Sequence, residues 1–243
     1  MNNPPRIVLV QFFHLDSQLP TLKEMRSWLE DFENVDYHPV GDATKCYKER
    51  TDNSFTYKYE FKDNFGNRKK DLLVNYQFQN EYDFVFFLDG DETIYLGELR
   101  DFLEDLPSLI NFNGANIVGF PRHNTIRARG EEEFKTLLSL EATQLNPPTI
   151  SNIYHHSTNT TPEDLKEYTL TSWNYPDIQQ RLVRLDTFHS VEGRTHEKIF
   201  WCEGEGRPNS STQIYIGLGI NHNKTLQQQL ESDVYHRRLL EME

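Results

Sequence analysis

The chain has 243 residues, room for one large α/β domain or two small ones, and a single domain is the better expectation. Hydrophobic residues make up 36 % and aromatics 13 %, with 16 Phe and 12 Tyr, which excludes a disordered chain and points to a core of few, large side chains. The 25 Lys and Arg against 38 Asp and Glu give a formal charge of −13, which argues against a nucleic-acid binder but leaves open a phosphorylated small molecule held by a few basic groups or a metal.

The two cysteines, Cys46 and Cys202, are too few for a disulfide framework and lack zinc-ligand spacing, so they read as thiols in a reducing compartment. The apolar run Ile7 to Phe13 is broken by Gln11, ends at His14 and follows no basic segment. It is too short for a signal peptide or a membrane span, so a cytoplasmic protein is expected and the glycosylation patterns at Asn159, Asn209 and Asn223 read as chance.

Arg6 to Phe12 has the continuous apolar character of a central strand buried on both faces. Leu22, Met25, Trp28, Leu29 and Phe32 then follow helical spacing over 17–32, and Val35 to Val40 reads as a second strand closed by Gly41-Asp42. Phe55, Tyr57, Tyr59 and Phe61 alternate with polar residues as a half-exposed strand or hairpin arm. The cluster Arg68-Lys69-Lys70 leads a helix to about Gln79, and Asp83 to Leu88 is the next apolar strand, followed at once by Asp89-Gly90-Asp91-Glu92-Thr93.

A helix is expected over 96–110 and a strand over 116–120, running into Pro121-Arg122-His123-Asn124. Between 131 and 171 the pattern is irregular, with a Leu-rich helix near 134–142, a Pro147-Pro148 break and a short helix opened by Thr161-Pro162-Glu163. Strands are expected at 179–185, 198–201 and 214–220, a loop at 203–212, and an amphipathic helix over 225–242.

Asp89 and Asp91 sit directly after a buried strand, at the end of the strand where open α/β sheets place ligands. Two chemistries use such a pair. Asp89, Asp91 and Thr93 resemble the Asp-x-Asp-x-Thr of haloacid dehalogenase-like phosphohydrolases, which implies a nucleophile, a general acid/base and magnesium. Against that resemblance, the motif lies after two strand-helix passages and no Asp-Asp or Gly-Asp pair follows a later strand.

A more extended resemblance is to the family 2 glycosyltransferases of GT-A fold, carried by several segments in the family's order. Phe65-Gly66-x-Arg68-Lys69 resembles the segment before the central strand, and Asp83 to Glu92 (DFVFFLDGDE) resembles its acidic turn. Gly119-Phe120-Pro121-Arg122-x-Asn124, Tyr175-Pro176-Asp177-x-Gln179-x-Arg181-Leu182, Thr195-His196-Glu197 and Ile220-Asn221-His222 are similar to the later motifs. Departures are the missing Pro-Thr in the first strand, Asp42 alone in place of a fuller acidic motif after the second, and Asn223 where the family has Tyr.

The resemblance implies a GT-A-like, Rossmann-type mixed sheet flanked by helices in a single domain, with residues 1–92 as the nucleotide-binding half and 93–243 as the acceptor half with a C-terminal helix. It implies an inverting transferase that moves a sugar from a UDP- or GDP-type donor to a glycan or other hydroxyl acceptor. A manganese or magnesium ion would offset charge building on the diphosphate. Asp91 and Asp89 are the first candidates for the metal, with His196 ahead of His222 as the imidazole ligand and Glu92 the weakest member. Asp42, Arg68, Lys69, Asp89, Arg122 and Arg181 are candidates for donor or substrate contact, with Asn124 beside Arg122. Asp177 is the candidate base that takes the acceptor's proton, with Glu197 and Glu141 as rivals.

Overall fold

A computed structural model of the protein describes residues 4–13, 18–42, 57–59, 65–129, 132–133, 135–136, 153–156, 167–171, 177–193 and 197–230. The chain divides into two compact units that interleave in sequence, Met1–Pro121 with Ile178–Ile220, and Arg122–Asp177 with Asn221–Glu243.

The first unit opens with β1 (Ile7–Phe13), α1 (Leu19–Leu29), β2 (Val35–Asp42), β3 (Tyr57–Tyr59), α2 (Phe65–Gln79) and β4 (Phe84–Asp89). Their strands are parallel in the order β3-β2-β1-β4. The chain leaves β1 toward β2 on one side and returns to β4 on the other, so the carboxyl ends of β1 and β4 flank a topological switch point.

After β5 (Glu92–Ile94), α3 (Leu96–Asn113) leads into β6 (Ile117–Arg129), and β9 (Asp177–Arg184) pairs antiparallel with β4, making the sheet mixed. α3 ends at Gly114, whose φ of 60° lets its N–H and that of Ala115 turn back to the carbonyls of Ile110 and Leu109. The hairpin of β10 (Phe188–Glu192) and β11 (Lys198–Trp201) follows, then β12 (Gln213–Ile214), parallel to β6.

Every residue of β1 is buried because both faces are covered. On one face Ile7 and Leu9 of β1 and Phe84, Phe86 and Leu88 of β4 pack with Met25 and Leu29 of α1 and Leu99, Phe102 and Leu106 of α3. On the other, Val8, Val10, Phe12, Val85 and Phe87 pack with Leu72, Leu73 and Tyr76 of α2 and with Phe188, Val191 and Ile199 of the hairpin. Phe120 continues the first layer, its ring centroid 5.1 Å from those of both Phe86 and Phe102. The aromatic composition thus supplies the core, and the protein is the expected α/β fold, a GT-A-like, Rossmann-type mixed sheet flanked by helices.

In the second unit, the distal part of β6 pairs antiparallel with β8 (Glu167–Thr171), which pairs antiparallel with β7 (Ile153–His156). β13 (Ile220–Thr225) precedes a helical segment at 226–230.

Several elements differ from the sequence reading. Of the two readings for Phe55 to Phe61, a strand is present at β3, and its parallel pairing with β2 excludes the hairpin arm. β6 continues to Arg129 because β8 gives its polar half a hydrogen-bonding partner. The last long strand lies at 220–225 rather than 214–220: Ile214 and Ile216 are 55 % and 84 % exposed, so their alternation marks no buried face. The helices expected near 134–142 and over 225–242 are described only in part, and the segment from Thr161 to Glu163 lies outside the described residues. Among the described residues no helix is long and apolar enough to cross a membrane.

Candidate active site

β4 ends at Asp89 and β5 begins at Glu92, leaving Gly90 and Asp91 as the turn between them. A Cβ on Gly90 would lie 2.7 Å from the Phe12 carbonyl oxygen and 2.7 Å from Gln18 Cδ, so only glycine lets this turn sit against the end of β1. Glu92 is fully buried: its Oε2 accepts the Asp89 N–H at 2.9 Å and its Oε1 takes Arg181 Nη2 at 2.5 Å. The same Arg181 nitrogen reaches Asp89 Oδ2 at 3.0 Å.

Arg181, expected to contact substrate, is 2 % exposed and pairs through Nη2 with both carboxylates, while its Nε is buried without a hydrogen-bond partner among the described residues. Burial lowers the proton affinity of its guanidinium, but Glu92 and then Asp89 outweigh that and hold it above the ordinary guanidinium range. Glu92 is correspondingly a poor metal ligand, because both its oxygens already accept hydrogen bonds. Asp89 keeps 38 % of its side-chain surface and Asp91 is half-buried, so both are less enclosed than Glu92.

Sequence reasoning missed Gln11 as part of this site. Its amide nitrogen donates to the carbonyls of Asp89 and Glu92 at 2.9 and 2.8 Å, spanning the acidic turn, and its Oε1 accepts from the Tyr37 hydroxyl at 2.7 Å. The available signal was a lone amide inside an apolar strand. Fully buried, such a group needs partners for its donors and acceptor.

At the start of α2, Arg68 and Lys69 are 2 % and 6 % exposed. The Arg68 guanidinium lies 4.0 Å from the centre of the Phe12 ring, and Lys69 Nζ pairs with Glu197 Oε2 at 3.4 Å. The structure therefore joins two predicted residues, Lys69 and Glu197, as an ion pair whose side chains are 8 % and 14 % exposed. Asp42 is the last residue of β2, next to Gly41, which registers with Phe13 at the end of β1.

In the second unit, Asp177 accepts from Arg122 through Nε at 2.8 Å and Nη2 at 2.5 Å, and from Asn124 Nδ2 at 3.2 Å, all on Oδ2. Asn124 Oδ1 lies 2.7 Å from Nδ1 of His222, which is 8 % exposed. Four residues from three separate motifs, Arg122, Asn124, Asp177 and His222, thus form one polar network. His196, Glu141, Cys46 and Tyr175-Pro176 lie outside the described residues. Among the described residues, no group of three or more His, Cys, Asp or Glu is placed to hold a metal ion.

A separate cavity of about 420 Å³ opens at the amino ends of β1 and β4, lined by Pro4, Tyr82, Phe84, Pro107 and Arg184, and contains none of the predicted residues.

No protein-family model matches the chain, and no curated protein matches it. Among solved structures, the chain is similar to S. aureus TarS 1-349, with 16 % identity, 67 % of this chain and 46 % of that chain covered, and a TM-score of 0.31. The same TarS fragment in complex with UDP-GlcNAc gives 16 % identity over 67 % and 45 % of the two chains, and in complex with UDP 15 % over 67 % and 46 %, both with a TM-score of 0.31. The match thus spans less than half the length of those structures. Overlap of this size carries no argument about activity, which rests on the residues themselves.

Proposed function

We propose that the protein is a metal-dependent, inverting glycosyltransferase that moves a sugar from a nucleotide-diphosphate donor, of UDP or GDP type, to a glycan or other hydroxyl acceptor. The observation that carries this reading is the acidic turn at the carboxyl end of β4, at the switch point of a parallel β3-β2-β1-β4 sheet, where α/β folds bind nucleotides. The order of the sequence motifs around it supports the same reading.

Asp91 would hold the cation with Asp89, and His196 is the proposed imidazole partner. A bound manganese or magnesium ion would supply positive charge to a departing diphosphate. The chain's own residues keep the turn ready for it: Gln11 spans its two ends, and Arg181 neutralises Glu92 while steadying the Asp89 carboxylate. Asp177, oriented by Arg122 and Asn124, is the proposed acceptor of the incoming hydroxyl's proton. The dehalogenase-like alternative requires Asp89 as nucleophile, and pairing with Arg181 reduces the nucleophilicity of that carboxylate.

The test is donor hydrolysis across a panel of UDP- and GDP-sugars with and without manganese. One donor is expected to turn over only with the metal, and Asp91→Ala is expected to lower the rate at least about 100-fold, as loss of a principal electrostatic contributor does. Metal-independent turnover, or release of phosphate from an aryl phosphate that is lost in Asp89→Asn, would overturn the reading. Metal-dependent binding of a nucleotide without turnover of any donor would make the protein a non-catalytic binder.

A further inference from the structure

The network of the second unit has a direction that fixes a proton. Asp177 Oδ2 is paired with the Arg122 guanidinium, so it is a carboxylate oxygen that only accepts. The Asn124 group that faces it at 3.2 Å must therefore be the amide nitrogen, which turns the amide oxygen toward His222. That oxygen has no proton to give, so at 2.7 Å His222 Nδ1 must donate. In a neutral imidazole, a proton on Nδ1 leaves the lone pair on Nε2.

We propose that Asn124 is a positioning residue that holds neutral His222 as the Nδ1–H tautomer, so that Nε2 presents the lone pair. The order of the chain is Arg122 to Asp177 to Asn124 to His222, each group oriented by the one before it. Free histidine in water favours the opposite tautomer, with the proton on Nε2, so the preference depends on the amide. Such an outer partner sets which nitrogen is available to a ligand. The tautomer does not depend on the transferase reading.

The test is a two-bond proton–nitrogen correlation spectrum of the full chain, with ¹⁵N-labelled histidine, at about pH 8 where an ordinary imidazole is neutral. The His222 signals are identified by their loss in His222→Gln. The wild-type protein is expected to show the Nδ1–H pattern at His222, Asn124→Ala is expected to move it toward the Nε2–H pattern, and Asn124→Asp, which keeps an acceptor, is expected to retain Nδ1–H. A wild-type Nε2–H pattern, or an Asn124→Ala pattern identical to wild type, would overturn the proposal, and the first of these outcomes needs no variant to fold.

Discussion

The side-chain amide of Gln11 donates to two carbonyls three residues apart in numbering, Asp89 and Glu92, while its oxygen accepts from Tyr37. An amide has two distinguishable ends, and the Tyr37 hydroxyl decides which one faces the turn. Burial pushes that hydroxyl above the ordinary phenol range, the nearby charge of Arg26 only partly opposing it, so it stays a donor at working pH. Tyr37→Phe removes one hydrogen bond without opening a large cavity, at a cost of about 0.5–1.5 kcal/mol. Apparent manganese affinity in calorimetry is expected to fall by roughly 2–10-fold if that energy is lost from the metal-binding geometry. An affinity equal to wild type would detach Tyr37 from the site. Gly90→Ala has a different consequence, because its methyl meets a backbone oxygen and cannot be accommodated by a side-chain rotation alone. The expected loss is about 1–3 kcal/mol in urea unfolding, as for overpacking elsewhere; a stability within 0.5 kcal/mol of wild type, the usual range for a surface change, would show that the turn relaxes freely.

At the scale of elements, β2 and α2 meet through His38, whose Nδ1 lies 2.8 Å from the Tyr76 hydroxyl. Burial holds this imidazole below its ordinary value of 6.5, with Asp36 and Glu81 pulling the other way. The unfolded chain therefore takes up a proton here at a pH where the folded chain does not. The stabilisation is complete above 6.5 and is lost as pH falls from there through the lower folded value. His38→Gln is expected to flatten the fall in urea midpoint between about pH 7 and about pH 5, and an unchanged slope would assign that fall to other groups.

The same scale explains what the sequence made legible. β1, α1, β4, α2 and α3 were readable because burial on one or both faces imposes a periodicity on their side chains. β7, β8 and the distal half of β6 were not, since His155, Thr169 and Arg127 are held by inter-strand hydrogen bonds that leave no apolar pattern. Ile214 and Ile216 misled for the converse reason, alternating in an exposed segment. Motif order made Asp89, Asp91, Arg122 and Asp177 candidates, but the contacts of Gln11 and Arg181 reach 81 and 89 positions along the chain, beyond any local pattern.

At the scale of the whole molecule, a charge of −13 and a diphosphate ligand repel one another unless a cation lies between them. Buried Arg68 and Lys69 soften this locally, but Lys69 is already paired with Glu197. The proposed function therefore predicts that UDP or GDP alone barely stabilises the fold, whereas the same nucleotide with manganese does. At a nucleotide concentration about 100 times its dissociation constant, linkage contributes about 2.7 kcal/mol, which for a chain of this size raises the melting temperature by roughly 5–11 °C. Asp91→Ala should abolish the rise while leaving the melting temperature without ligand within a few degrees of wild type, because Asp91 lies in a turn and not in either core layer. Salt offers an independent sign. A protein that binds polyanions through an exposed basic surface loses affinity steeply as salt rises, whereas here added salt screens the repulsion between an acidic surface and the nucleotide. Manganese-dependent stabilisation that collapses between about 50 and about 200 mM salt, in the manner of polyanion binding, would place the nucleotide on an exposed basic patch and remove it from the acidic turn.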